Sequence, residues 1–283
     1  MKIVATFVPY LYAFQFPNED LDELERVFDD WNNPSYLLDF FTQYKSDLKG
    51  SHSVEEAVIK TKIEAQKFYK KMLLLAEKNP HQLNEFFANL YNNEYKTISL
   101  QRQKAKQNWL RLYALKITQV DMQDIYVITG GIIKLTQNME DRKHGDFERN
   151  KINQSRDYLK SIGVYEKNKN ITNFLKHVSI EDSGWMAKAK WRQENEDWLD
   201  VSFDIAIRIG STLYDNKQKN KYPKNQVELA EAMGCSAQYI NKLLKGQENL
   251  QIETICKIGR ILGLSLIEVP KIEVKQVLQL TNH

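Results

Sequence analysis

The chain has 283 residues, 42% hydrophobic and 27% charged, which is room for two ordinary domains of a soluble globular protein, and no apolar run approaches a membrane span. Its two cysteines, Cys235 and Cys256, form neither a disulfide framework nor a zinc spacing and fit a reducing cytoplasm, with no metal or cofactor expected. The net charge of +3 is too small to announce a polyanion, but residues 101–164 hold 12 Lys or Arg against 7 Asp or Glu, whereas residues 1–100 hold 11 against 15.

The N-terminus, MKIVATFVPYLYAFQF, has one lysine, no long apolar core and no clear cleavage site, so a signal peptide is not expected. PYLYAFQF at 9–16 predicts an aromatic-rich strand that Pro17 and Asn18 stop. Asp20 to Phe28 opens an amphipathic helix with acids in its first turn, and Asn33-Pro34 breaks it before a second helix in SYLLDFFTQYKSDL. Ser53-Val54-Glu55-Glu56 matches a capping box ahead of a long helix reaching about Lys78, ended by Asn79-Pro80. The period then changes. YKTISL at 95–100 and WLRLYALKI at 109–117 alternate, and IYVITGGIIKLT at 125–136 is a β-branched run, so the last two read as a hairpin joined by TQVDMQD. Gly130-Gly131 inside a strand indicates a bulge or a close backbone approach; without a G-x-G-x-x-G or P-loop pattern it does not indicate nucleotide binding. A polar loop, QNMEDRKHGD, precedes a helix from about Phe147 to Ser161.

Polar YEKNKN at 165–170 marks a domain boundary. The expected organisation is a domain over 1–164, a linker and docking segment over 165–197 carrying Trp185 and Trp191, a helical domain over 198–270 and a tail over 271–283. Trp185, Trp191 and Trp198 read as anchors that bury one part of the chain on another, ahead of a ligand cage. A helix from Trp198 to about Asn216 precedes the most informative stretch, QVELAEAMGCSAQYINKLLK at 226–245. With Gln226 at position one, Ala230 falls at five, Gly234 at nine, Ile240 at fifteen and Leu243 at eighteen, the spacing of a helix-turn-helix. Small Ala230 lets two helices approach, Gly234 supplies a positive φ, Ser236 caps the second helix, and Ile240 and Leu243 return to the core. The outward residues Ser236, Ala237, Gln238, Asn241, Lys242 and Lys245, with Gln226 and Tyr239, are the candidate DNA contacts. IETICKIGRILG predicts a further helix and LSLIEV a strand-like end at Pro270.

On these residues, with WRQENEDWLDVSFDIAIRIGSTL before them and Lys245-Gly246-x-x-Asn249-Leu250 and Glu253-Thr254-Ile255 after them, the C-terminal part resembles Xre/HigA-type antitoxins with a Cro/C1-like helix-turn-helix. Residues 1–164, through WLRLYALKI, IYVITGGIIKLTQNMEDRKHGDFERN and KINQSRDYLKSIGV, look like RelE/HigB-type toxins with a helical insert. The resemblance implies an α+β N-terminal domain with a small antiparallel sheet, followed by an all-α domain. It implies messenger RNA cut on the ribosome by the first part, operator DNA bound by a homodimer through the second, and toxin silenced by antitoxin. Family members are normally two proteins; a fused gene and an engineered fusion both give a single chain.

Cleavage through a 2′-hydroxyl needs cations for the developing phosphorane and a group to move protons. The candidates are Lys104, Lys106 and Arg111 before and on the central hairpin, Lys134 at its end, and Arg142, Lys143 and His144 in the following loop. The bland reading makes the lysines solvated and His144 an exposed loop residue. Acids at Glu181, Asp182, Glu194, Glu196 and Asp197, with Trp185 and Trp191, are expected to cover that surface. Two other readings stay open: a transcriptional regulator with a non-catalytic sensor or dimerisation domain, and a structural adaptor.

Overall fold

The computed structural model describes residues 1–78, 82–90, 100–118, 123–164, 170–179 and 184–269. The chain divides into two compact units, Met1–Leu199 and Asp200–His283. The expected boundary at 165–169, the Asn79-Pro80 stop, residues 95–99 of YKTISL, Glu181, Asp182 and the tail from Pro270 onward lie outside the described residues.

In the first unit, β1 (Lys2–Ala5) pairs antiparallel with β2 (Leu11–Gln15). Helix α1 (Glu23–Trp31) starts at Asp22, whose Oδ1 accepts from the Leu24 and Glu25 amides at 2.8 and 3.0 Å. Pro34 opens α2 (Pro34–Gln43), where a missing N–H costs nothing, and a 3-10 turn, Lys45–Leu48, follows. The capping box forms as expected. Ser53 N donates to Glu56 Oε2 at 2.7 Å and Glu56 N to Ser53 Oγ at 3.1 Å, opening α3 (Val54–Lys78). After α4 (Leu83–Phe86) come β3 (Ala88–Asn89), β4 (Leu100–Gln107), β5 (Leu110–Ile117) and β6 (Ile125–Ile133). The β5–β6 hairpin matches expectation. The β4–β5 hairpin does not, because LQRQKAKQ lacks an apolar alternation.

The strands form one sheet in the order β1-β2-β6-β5-β4-β3. A small antiparallel sheet was the expectation; among the described residues the sheet has six strands and is mixed, since β2 lies parallel to β6. Parallel neighbours need a long crossover, which the helices and strands between them supply. Every residue of β6 is buried, as befits a central strand covered on both faces. One face packs Tyr113, Leu115, Val127 and Ile132 against Ile152 and Leu159 of α5 (Lys143–Ser161) and Phe174 of α6 (Asn170–Leu175). The chain leaving α6 reaches the sheet edge, where Ser179 N donates to Ile3 O at 2.7 Å. Helices α1 and α3 pack against the sheet as well, α3 fixed by Trp109 Nε1 donating to Thr61 Oγ1 at 3.0 Å.

Helix α7 (Trp185–Glu194) belongs to this unit. Trp185 is an anchor, not an exposed aromatic: it is 3% exposed and stacks on Phe7 with ring centroids 3.9 Å apart, beside Phe28 and Tyr69. Trp191 stays exposed and meets Trp198 edge to face.

The unit division falls within α8 (Glu196–Gln218). The second unit packs Ile205, Ile209 and Leu213 of that helix against α9 (Gln226–Met233), α10 (Ala237–Leu244) and α11 (Ile252–Leu262). LSLIEV is not a strand. It folds back along α11, with Leu264 N donating to Gly259 O at 3.0 Å and Leu266 entering the core. Gly259 permits the return, because a Cβ there would stand 2.7 Å from Leu264 O.

Candidate nucleic-acid interfaces

The α9–α10 pair is built by local chemistry. The Asn225 side chain accepts from Glu228 N at 2.9 Å while Glu228 Oε2 accepts from Lys224 N at 2.9 Å, so the start of α9 is closed from both sides. Gly234 ends α9 at φ 66°, and Cys235 N returns to Ala230 O at 3.0 Å. Ser236 Oγ then accepts from Tyr239 N at 3.1 Å and starts α10. Ala230, Ile240 and Leu243 are buried at the helix contact. Ser236, Ala237, Gln238, Asn241, Lys242 and Lys245 all face solvent. Tyr239 differs from the others, being half-buried against the core. Gln226 is also half-buried and accepts from Asn241 Nδ2 at 3.5 Å, which joins the start of α9 to the exposed face of α10. A short helix presenting small, amide and cationic groups beside a second helix start can enter a major groove and meet base edges and phosphates.

Residues 224–269 match the helix-turn-helix family model. The match supports DNA binding of the Xre/Cro type, and with it transcriptional regulation, for the second unit. No curated protein and no solved structure matches the chain. No helix among the described residues is long and apolar enough to cross a membrane.

In the first unit the candidate cations separate into two groups. Lys104 pairs with Tyr113 across β4–β5, and Lys106 with Arg111. Alternation puts Lys104, Lys106 and Arg111 on one face. Arg111 Nη1 donates to Leu110 O at 2.8 Å, and Lys134 N to Trp109 O at 2.7 Å, so both approach the hairpin turn. Burial, then the charges of Arg111 and Lys104, hold the Lys134 ammonium below the usual lysine range, and burial lowers Arg111 likewise. Lys134 thus feels two neighbouring cations, partly offset by the acids Asp141 and Glu140.

Arg142 and His144 belong elsewhere. Arg142 Nε donates to Asp47 Oδ2 at 2.8 Å, and its guanidinium lies 6.0 Å from the Tyr44 ring centroid. His144 is not a loop residue: it sits in the first turn of α5, wedged between Phe40 and Tyr44 with centroids 5.1 and 5.0 Å away. Its Nε2 lies 3.1 Å from Ile133 O, its Nδ1 is buried without a partner, and burial pushes its pKa below the usual imidazole value.

The expected acidic cover is also corrected. Glu194 pairs with Lys190 of its own helix, Glu196 accepts from Gln66 of α3, and Asp197 caps the Trp198 amide. It is the cations of α7 that dock: Lys188 bridges Glu25 at 2.8 Å and Arg192 pairs with Asp29, both on α1.

The sequence reading missed a buried ionic network between α1 and α5. Arg26 Nη2 donates to Glu148 Oε1 at 2.9 Å and to Glu23 Oε2 at 2.8 Å, Arg26 Nη1 reaches Asp30 at 2.9 Å, and Lys151 pairs with Glu23. Glu23 and Glu148 are 1% and 3% exposed. Burial raises Glu148 to about 7, and Asp30 and Asp22 to about 6. For Arg26 burial opposes the charge, but Glu148, Glu23 and Asp30 outweigh it and raise the pKa. The network lies against β6, where Thr129 is the extra residue of a bulge (Tyr113 pairs with Gly130, Ala114 with Ile128). Gly130, at φ 149°, leaves the space that Glu148 Oε2 fills, and Gly131 lets Val27 of α1 approach. The glycine pair was the one visible signal: it marks a close approach without naming the partner.

Proposed function

We propose that the chain is a fused type II toxin–antitoxin protein, in which the first unit is a RelE/HigB-like messenger RNA interferase and the second a HigA-like antitoxin that binds operator DNA as a homodimer and represses transcription. The helix-turn-helix supports the DNA-binding half. The observation that carries the other half is that Arg111 and Lys134 lie by the turn between β4 and β5, with Lys104 on β4 near enough for its charge to act on Lys134, whose ammonium is held below the usual lysine range. Such a group offers fixed positive charge to a scissile phosphate and to the pentavalent phosphorane that follows 2′-hydroxyl attack. His144 Nε2 is taken up by the Ile133 carbonyl and its Nδ1 is buried, so the reading rests on the cations for phosphate and phosphorane charge and not on this imidazole for proton transfer.

A second reading, a regulator whose first unit is a non-catalytic sensor, is favoured by two observations. Arg142 is committed to Asp47, and both His144 nitrogens are turned into the fold. Expression of residues 1–199, the whole first unit, separates the readings. The interferase reading expects growth arrest and loss of translated messages from 1–199, and neither from the full chain. A folded 1–199 that leaves messages intact overturns the interferase reading and promotes the sensor reading. Residues 1–164 are the harsher variant, since removing α7 uncovers Phe7, Phe28 and Tyr69.

A further inference from the structure

The helix-turn-helix match begins at Lys224. Immediately before it, residues 216–227 read NKQKNKYPKNQV, with four lysines and no acid. Lys217 lies in the last turn of α8, and Lys217, Lys219 and Lys221 are exposed.

The loop that carries them is held in shape. Lys219 N donates to Asp215 O at 3.0 Å, Lys221 N to Asn216 O at 2.8 Å, and the buried Asn216 side chain to Pro223 O at 2.8 Å. Asn220 takes the turn at φ 51°, a conformation asparagine tolerates better than most residues. Tyr222, 56% exposed, donates its hydroxyl to Glu228 O at 3.1 Å and so ties the loop to the first turn of α9. Lys224 Nζ reaches Asn220 Oδ1 at 3.3 Å. That first turn is also where Asn241 of α10 meets Gln226. The lysine loop therefore flanks the face that the helix-turn-helix presents.

The main chain of such a loop is already ordered, so binding costs it little further backbone entropy, and exposed lysines with no carboxylate between Asp215 and Glu228 are placed to neutralise phosphates. We infer that Lys217, Lys219 and Lys221 form a backbone clamp on duplex DNA, outside the matched domain, which holds the phosphates flanking the groove that α10 reads. This inference rests on the DNA-binding reading of the second unit. The clamp reads no bases, so it strengthens operator and random sequence alike.

The test is a salt titration of the full chain against a fluorescein-labelled random-sequence duplex, followed by anisotropy. Each phosphate contact on B-DNA contributes about 0.9 to the slope of log affinity against log salt. The triple variant Lys217→Gln, Lys219→Gln, Lys221→Gln is expected to lose roughly 2 to 3 units of slope and to bind more weakly at every salt concentration. Arg260→Gln, which removes an exposed cation from the last turn of α11, is expected to leave the slope unchanged. An unchanged slope in the triple variant, or an equal loss per charge in Arg260→Gln, overturns the clamp. If the triple variant melts early, the single variants carry the same test at about 0.9 apiece. A wild-type chain that binds no duplex sinks the helix-turn-helix reading too, whereas wild-type binding with an unchanged triple-variant slope sinks the clamp alone.

Discussion

Gly130→Ala is a severe test of the packing between α1, α5 and β6. A Cβ at this position would stand 1.9 Å from Glu148 Oε2, 3.0 Å from its Cδ and 3.2 Å from Glu23 Oε2. The backbone at φ 149° is itself unfavourable for alanine, costing about 1–3 kcal/mol. Glu148 must also move, but it is 3% exposed and bonded to Arg26, so it cannot swing into water. Breaking a buried ion pair from one side costs about 3–5 kcal/mol. The sum, roughly 4–8 kcal/mol, is comparable to the whole stability of an ordinary domain. Urea unfolding followed by tryptophan fluorescence should therefore show the first unit largely unfolded or shifted to a much lower midpoint. Adding Glu148→Ala removes the clashing carboxylate, so the double variant should lose markedly less than the two single losses together. A Gly130→Ala loss below about 1 kcal/mol, or strict additivity in the double variant, would refute the close approach.

Stability should also depend on pH through Glu148. Its carboxyl is raised to about 7 in the fold from 4.5, so the folded state holds the proton more tightly; the resulting stabilisation is complete below about 4.5 and lost as pH rises through 7. The loss amounts to about 3 kcal/mol at most, and Glu148→Gln should flatten that part of the profile in chemical denaturation run between acid and mild alkali. Trp185→Ala should cost about 3–5 kcal/mol in the first unit, since the ring is buried against Phe7, Phe28 and Tyr69; a loss under 1 kcal/mol would mean that α7 is not docked there. In the second unit, Gln238→Ala should relax preference at one base position by about 1–3 kcal/mol, and Lys245→Gln should weaken all sequences alike with a salt slope lower by about one, both read by competition binding on a duplex library.

The second unit was legible because each of its signals acts within a few residues. Asn225 and Ser236 cap the helices they precede, Gly234 turns the chain it sits in, and the spacing of Ala230, Ile240 and Leu243 fixes which face is buried. The first unit was legible only in part. The capping box at Ser53–Glu56 and the β5–β6 hairpin are local and were readable. β4 was not, because LQRQKAKQ buries Leu100, Gln103 and Ala105 without regular alternation, and Gln103 instead donates to Asn89 of β3. Arg26 and Glu148 lie 122 residues apart, and Lys151 and Glu23 lie 128 apart, so no periodicity could have paired them. Each looks in sequence like part of an ordinary solvated helix face.

That network also changes what the charge asymmetry means. Residues 1–100 carry an acidic excess, and much of it in α1 is answered by cations from later in the chain: Lys151 on Glu23, Lys188 on Glu25 and Arg192 on Asp29. Of these only Lys151 comes from 101–164, but Arg142 on Asp47 is a second such pair, so that part of the basic surplus is structural and says nothing about a polyanion. Lys134 is different in kind, because the charges around it include Arg111 and Lys104, and its ammonium donates to a backbone carbonyl, Gln137 O. The two kinds of cation should separate on substitution. Lys151→Ala leaves Glu23 buried with less compensation and should cost about 3–5 kcal/mol of stability. Lys134→Ala removes mutual repulsion and should change stability by about 0.5 kcal/mol or less. If the trio holds a scissile phosphate, Lys134→Ala or Arg111→Ala should nevertheless slow RNA cleavage by the first unit on the order of a hundredfold and relieve any growth arrest that 1–199 causes. A Lys134→Ala variant of 1–199 that cleaves RNA as fast as its parent would remove the trio from the mechanism, whatever the fate of the DNA-binding unit.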